Sequence, residues 1–82
     1  MIYYKVPEKM DNVRTYKKDK AGNLIYTGFL VAKELYTLKE LERAGFCEKY
    51  INERFEKKEI KKSNVFNFFG CRFEIGEDII KA

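Results

Sequence analysis

Eleven residues, Tyr36-Thr37-Leu38-Lys39-Glu40-Leu41-Glu42-Arg43-Ala44-Gly45-Phe46, constrain this chain most, because they carry helix start and stop signals in the right order. Thr37 is placed to cap the first amides while Glu40, three residues on, reaches back to the Thr37 N–H. Tyr36 and Leu41 stand where a hydrophobic staple would. Gly45 sits where a left-handed residue closes the last turn, with Phe46 positioned to fold back on Leu41. The pattern predicts a helix of about two turns, too short to persist alone, that faces a sheet with Leu38 and Leu41.

The flanking sequence supplies strands. In residues 2 to 6, Ile2, Tyr4 and Val6 share one side of a period-2 ribbon, the pattern of a half-buried strand that Pro7 ends. The β-rich stretches Val13 to Lys17 and Leu24 to Val31 flank Lys18-Asp19-Lys20-Ala21-Gly22-Asn23, so a β-hairpin is expected there. Gly28 marks a bulge, or a bend that carries the ribbon onto a second partner strand. Cys47, Tyr50, Ile51 and Phe55 fall at helical spacing, which favours a second short helix over a loop. Lys57 to Ile60 is ambiguous, and Lys61 to Asn64 reads as a charged turn. Val65 to Ile75 reads as one strand ended by Gly76, and Ile79 and Ile80 are expected to dock a short tail on the core. The expected fold is α+β: an antiparallel sheet of about four or five strands packed against one capped helix and a second, shorter one.

With 82 residues there is room for one domain, 1–82, with no internal repeat or linker. A chain this size buries only about 60–65% of its unfolded surface, so the core must be compact. Hydrophobic content of 45% and charged content of 37% fit a folded globule. No apolar run approaches the ~18 residues of a membrane span, and the amino terminus does not read as a signal peptide, so a cytoplasmic protein with reduced Cys47 and Cys71 is expected.

The inventory argues against catalysis. There is no histidine, hence no imidazole base. Two isolated cysteines do not make a zinc site, and no glycine-rich phosphate loop or acidic calcium loop is present. A carboxylate pair such as Glu40 and Glu59 could act as acid and base, yet Glu40 already has a capping role. The expectation is a non-enzyme with no cofactor, no metal and no small-molecule substrate, acting by surface recognition.

Two features could carry it. On a single strand from Val65 to Ile75, Phe66, Phe68 and Arg72 share a face opposite Val65, Asn67, Phe69, Cys71 and Phe73. If the helix packs on the latter face, Phe66 and Phe68 form an apolar patch for a protein partner or a second copy. Lysines cluster at Lys17, Lys18 and Lys20 and at Lys57, Lys58, Lys61 and Lys62. If their turns lie at one end of the sheet, they form a basic rim for nucleic-acid phosphates with Tyr16 and Tyr26 stacking on bases. Lysine protection of exposed strand edges is the bland alternative. The net charge of +4 is mild, so the protein-partner reading ranks first and nucleic acid second.

The segments Gly28 to Val31, Glu34 to Glu42 and Phe68-Phe69-Gly70-Cys71-Arg72-Phe73-Glu74 resemble small uncharacterised proteins of phages and mobile elements of low-GC Gram-positive bacteria. In those proteins a Glu-Leu-Tyr/Phe-Thr-x-Lys-Glu core is followed, after a variable segment, by an aromatic run ending like Phe-Gly-Ala-Arg-Phe, and Cys71 stands where a small residue such as alanine is expected. The resemblance implies an accessory protein in a bacterial host cell that occupies a surface on a host or viral macromolecule. It implies no catalytic residue.

Overall fold

A computed structural model describes residues 1–76. Seven strands and two helices follow in the order β1 (Ile2–Lys5), β2 (Arg14–Lys18), β3 (Leu24–Phe29), β4 (Leu35–Tyr36), α1 (Leu38–Arg43), α2 (Glu48–Arg54), β5 (Glu56–Glu59), β6 (Val65–Phe68) and β7 (Cys71–Glu74). The class is α+β, and the strands are divided among three small antiparallel sheets: β4-β1-β5, β2-β3 and β6-β7. The expected docking of Ile79 and Ile80 lies outside the described residues.

The helix signals act as the sequence predicts. Thr37 Oγ1 accepts from the Glu40 amide at 3.3 Å while Glu40 Oε1 accepts from the Thr37 amide at 2.8 Å. At the other end the Phe46 amide donates to the Leu41 carbonyl and the Gly45 amide to that of Glu42, the paired bonds that close a helix over a left-handed residue. Leu41 is fully buried and Tyr36, Leu38 and Phe46 pack around it.

Strand β1 is the centre of the core. Tyr4 and Val6 join Met10, Leu30, Leu41, Ile51 and Phe55 on the helix side, while Tyr3 joins Leu35 and Ile60 on the other. The half-buried strand expected from alternation is thus covered on both faces, because Leu41 of α1 and Ile51 of α2 pack on one and Val65 of β6 packs against the cluster on the other. Each fully buried aliphatic side chain contributes about 1.5–3 kcal/mol.

The single strand expected over Val65 to Ile75 is corrected to a hairpin. Phe69 at φ 50° and Gly70 at φ 79° form a two-residue reversal with both central residues left-handed. An Asn-Gly pair would have announced such a turn; a phenylalanine in its first position did not. Of the bulge and the bend expected at Gly28, the bulge is the one formed, and among the described residues β3 pairs only with β2.

The hairpin β2-β3 stands apart from this core. Its loop is held by Asp19 Oδ1, which accepts from the amides of Ala21 and Asn23, both at 2.9 Å, and by Gly22 at φ 85°. An isolated two-stranded ribbon is marginal in water, so its attachment matters. That attachment is the end of α1. Thr27 Oγ1 donates to the Ala44 carbonyl at 2.8 Å, and the ribbon backbone passes so close to Gly45 that a Cβ there would lie 1.9 Å from the Tyr16 carbonyl oxygen.

Gly45→Ala therefore combines a strained φ of +114° with displacement of the ribbon, and should cost about 2–4 kcal/mol, lowering Tm by roughly 10 °C or more. Gly22→Ala, at φ +85° but in open space, should cost only about 1 kcal/mol. Equal losses in thermal melts of the two variants would show that Gly45 does no more than shape a turn.

Candidate functional site

The ribbon has two unlike faces because of one extra residue. Arg14 pairs with Phe29, Thr15 with Gly28, Tyr16 with Tyr26 and Lys18 with Leu24, so Thr27 is the unpaired residue of a bulge. Strict alternation would put Tyr26 and Phe29, three positions apart, on opposite faces. The bulge brings them to the same one. The inner face carries Thr15 and Thr27, whose hydroxyls lie 2.6 Å apart against the end of α1. The outer face carries Arg14, Tyr16, Lys18, Leu24, Tyr26 and Phe29.

That outer face is open. Tyr26 and Phe29 are each 54% exposed and Tyr16 is 44% exposed, values unusual for aromatic side chains in a small globule. Tyr16 and Tyr26 meet edge to face with ring centroids 5.8 Å apart. Asn12, Arg14, Tyr26 and Phe29 line a shallow hollow beside them.

Charge follows the same strands. From Val13 to Phe29 there are four cations, Arg14, Lys17, Lys18 and Lys20, and one carboxylate, Asp19, which is tied into the turn. The hairpin therefore carries +3 of the formal +4 of the chain.

The other sequence-predicted lysines are not part of it. Lys57 and Lys58 lie on β5 and Lys61 and Lys62 at the 3₁₀ turn that follows, in a different sheet from the ribbon. Lys58 donates to Glu74 at 2.8 Å. The two lysine clusters thus stand on different sheets.

The aromatic trio expected on one strand is also redistributed. In the β6-β7 hairpin Phe66 opposes Phe73 and Phe68 opposes Cys71, while Arg72 opposes Asn67 on the other face. Phe66 is half-buried with its ring 6.0 Å from that of Phe73, and Phe68 is exposed beside the tip residue Phe69, which is 92% exposed. Arg72 donates to Glu40 and lies over the Tyr3 ring at 5.6 Å. Arg72 therefore ties β7 to α1 and β1 and does not join an aromatic patch.

A small polar cluster sits where β4 meets β7. Buried Glu34 accepts from the Tyr36 hydroxyl at 2.5 Å and lies beside the Cys71 thiol. Burial, then the bond with Glu34, pushes the Cys71 thiol up to about 11 and the Tyr36 phenol well above the usual tyrosine range. For Glu40, burial acts upward but is outweighed by the Thr37 amide and the Arg72 guanidinium, which hold its carboxyl below the usual range. Glu40 and Glu59 are on α1 and β5, one capped and ion-paired, the other exposed opposite Ile2. The Glu40 carboxylate is thus engaged by the Thr37 amide and Arg72. Among the described residues no group of three or more acidic or cysteine side chains is placed to hold a metal ion, and no helix is long and apolar enough to cross a membrane.

No protein-family model matches this chain, and neither curated proteins nor solved structures match it.

Sequence reasoning found Tyr16, Tyr26, Lys17, Lys18 and Lys20 but missed Arg14 and Phe29. The signal that could have found them is Gly28: a bulge there moves Phe29 onto the Tyr26 face and opposite Arg14.

Two outcomes follow for the titratable groups. At pH 8 Cys47, which is exposed, should alkylate readily with iodoacetamide while Cys71 reacts much more slowly, as followed by mass spectrometry of intact and digested protein. Glu40 has a depressed folded-state value, so its contribution to stability is present above its unfolded value of about 4.5 and is lost as pH falls through the folded one. Urea melts of wild type and Glu40→Gln should therefore differ at pH 7 and converge toward pH 3; a pH-independent gap would contradict the assignment.

Proposed function

We propose that this protein is a non-enzymatic accessory protein that binds single-stranded nucleic acid on the outer face of the β2-β3 ribbon. The observation that carries the reading is the set of exposed rings of Tyr16, Tyr26 and Phe29 on one face with Arg14 and Lys18. Aromatic rings spaced along a strand stack on successive bases, worth about 1–3 kcal/mol per base, and the cations between them meet the phosphates. The local charge of +3 adds the long-range attraction that a polyanion requires. A setting among phage or mobile-element proteins, taken from the sequence resemblance, belongs to the same proposal.

A second reading has one observation in its favour. Phe69 is held at φ 50° and is almost fully exposed next to Phe68, an apolar tip suited to a pocket on a protein partner or a second copy. It ranks below the first because Phe66 is engaged with Phe73 and Arg72 with Glu40.

Fluorescence anisotropy with a labelled oligothymidylate separates the two. The ribbon reading expects affinity that falls with salt at a logarithmic slope of about −2 to −3, the value for three to four phosphates on a single strand. Tyr26→Ala or Phe29→Ala should each weaken binding by about 1–3 kcal/mol, and Arg14→Glu with Lys18→Glu should abolish it. Lys57→Glu with Lys61→Glu should change it little. Absence of salt-sensitive binding removes the reading, and a change of oligomeric state or loss of protein-partner capture in Phe68→Ser with Phe69→Ser would favour the second.

A further inference from the structure

The ribbon does not seal against α1 along its whole length. Between the bulge and the helix lies a cavity of about 240 Å³ lined by Gly28, Phe29, Leu30, Tyr36, Glu40 and Arg43, together with Thr15 and Thr27. Sites for drug-sized ligands run to roughly 300–1,000 Å³, so this one suits a single planar ring system rather than a whole nucleotide. Its position is informative. Phe29 lines both this cavity and the hollow on the outer face with Arg14 and Tyr26, so the two adjoin at that side chain and a base can turn past it from one to the other.

The lining sorts into apolar walls and two charged groups. Leu30 and the Phe29 ring supply the walls, and a Cβ on Gly28 would meet nothing nearer than Thr15 Oγ1 at 3.9 Å, so the glycine leaves that side open. Tyr36 gives its hydroxyl proton to Glu34, and Thr27 gives its own to Ala44. What remains to read a ligand is the Glu40 carboxylate as acceptor and the Arg43 guanidinium as donor, three residues apart on one side of α1. The Thr37 amide and the Arg72 guanidinium both donate to Oε1 of Glu40.

We propose that this cavity receives one unstacked guanine base from a strand bound on the ribbon, with Glu40 and Arg43 reading its Watson–Crick edge. The inference rests on the ribbon reading above. Guanine alone among the bases offers two neighbouring donors, N1–H and N2–H, for a carboxylate, beside the O6 acceptor for a guanidinium. Adenine and cytosine offer one donor next to an unprotonated ring nitrogen that the carboxylate would repel. Thymine and uracil flank their single donor with carbonyl oxygens. An ionised Glu40 suits the first edge and disfavours the others.

The test compares three labelled strands of about eight nucleotides by anisotropy: all thymidine, one central deoxyguanosine, and one central deoxyinosine, which lacks the N2 amine. The guanine strand should bind about tenfold tighter than the thymidine strand, and inosine should lose most of that gain. Arg43→Ala, a change at an exposed position, and Glu40→Gln, which can still cap the helix, should each remove the guanine advantage while the thymidine strand binds as before. Tyr26→Ala should weaken all three strands together. Equal affinity for guanine and thymidine strands, or an advantage that survives both Arg43→Ala and Glu40→Gln, overturns the pocket and leaves the ribbon reading standing. No salt-sensitive binding of any strand overturns both.

Discussion

The close passage of the ribbon backbone over Gly45 is the contact on which the arrangement of this protein depends. A helix of six residues ends there, and only a residue without a side chain lets the Tyr16 carbonyl approach. The same glycine takes the left-handed conformation that completes the helix cap. One position thus stops α1, seats the ribbon and sets which ribbon face turns inward. The Thr27 bond to Ala44 and the Thr15–Thr27 pair then fix the inner face, and the aromatic outer face is left to solvent by construction.

This explains how a small domain displays rings that it does not bury. Its core is complete without them: β1 is covered on both sides, Leu30, Leu41 and Ile51 are fully buried, and no buried side-chain polar atom among the described residues lacks a partner. Tyr16, Tyr26 and Phe29 belong to neither core cluster. Their exposure costs solubility and edge protection, against which the flanking lysines act, so a recognition role accounts for both the rings and the cations. Glu40 links the two halves, since it caps α1, pairs with Arg72 of β7 and lines the cavity under the ribbon.

Local signals in the sequence were reliable where one segment decides its own structure. The α1 cap, its glycine stop, the Asp19-to-Asn23 reversal and the bulge at Gly28 are all legible from residue type and spacing. Pairing across the chain was not. Val65 to Ile75 alternates like one strand, and the reversal at Phe69-Gly70 places an aromatic residue where Asn is usual, so Arg72 was assigned to the wrong face. The two lysine clusters could not be separated because sequence does not say which turns share a sheet end. Arg14 and Phe29 escaped notice for the same reason: their shared face exists only once the bulge sets the register between β2 and β3.

Backbone amide shifts recorded during titration with a single-stranded oligonucleotide test the central claim most directly, because they locate contact without altering the protein. The account predicts changes concentrated from Asn12 to Lys18 and from Leu24 to Phe29, reversed by added salt, with β5 and the β6-β7 hairpin unmoved. Changes centred on Phe66 to Phe69 or on Lys57 to Lys62, or none at all, would contradict it.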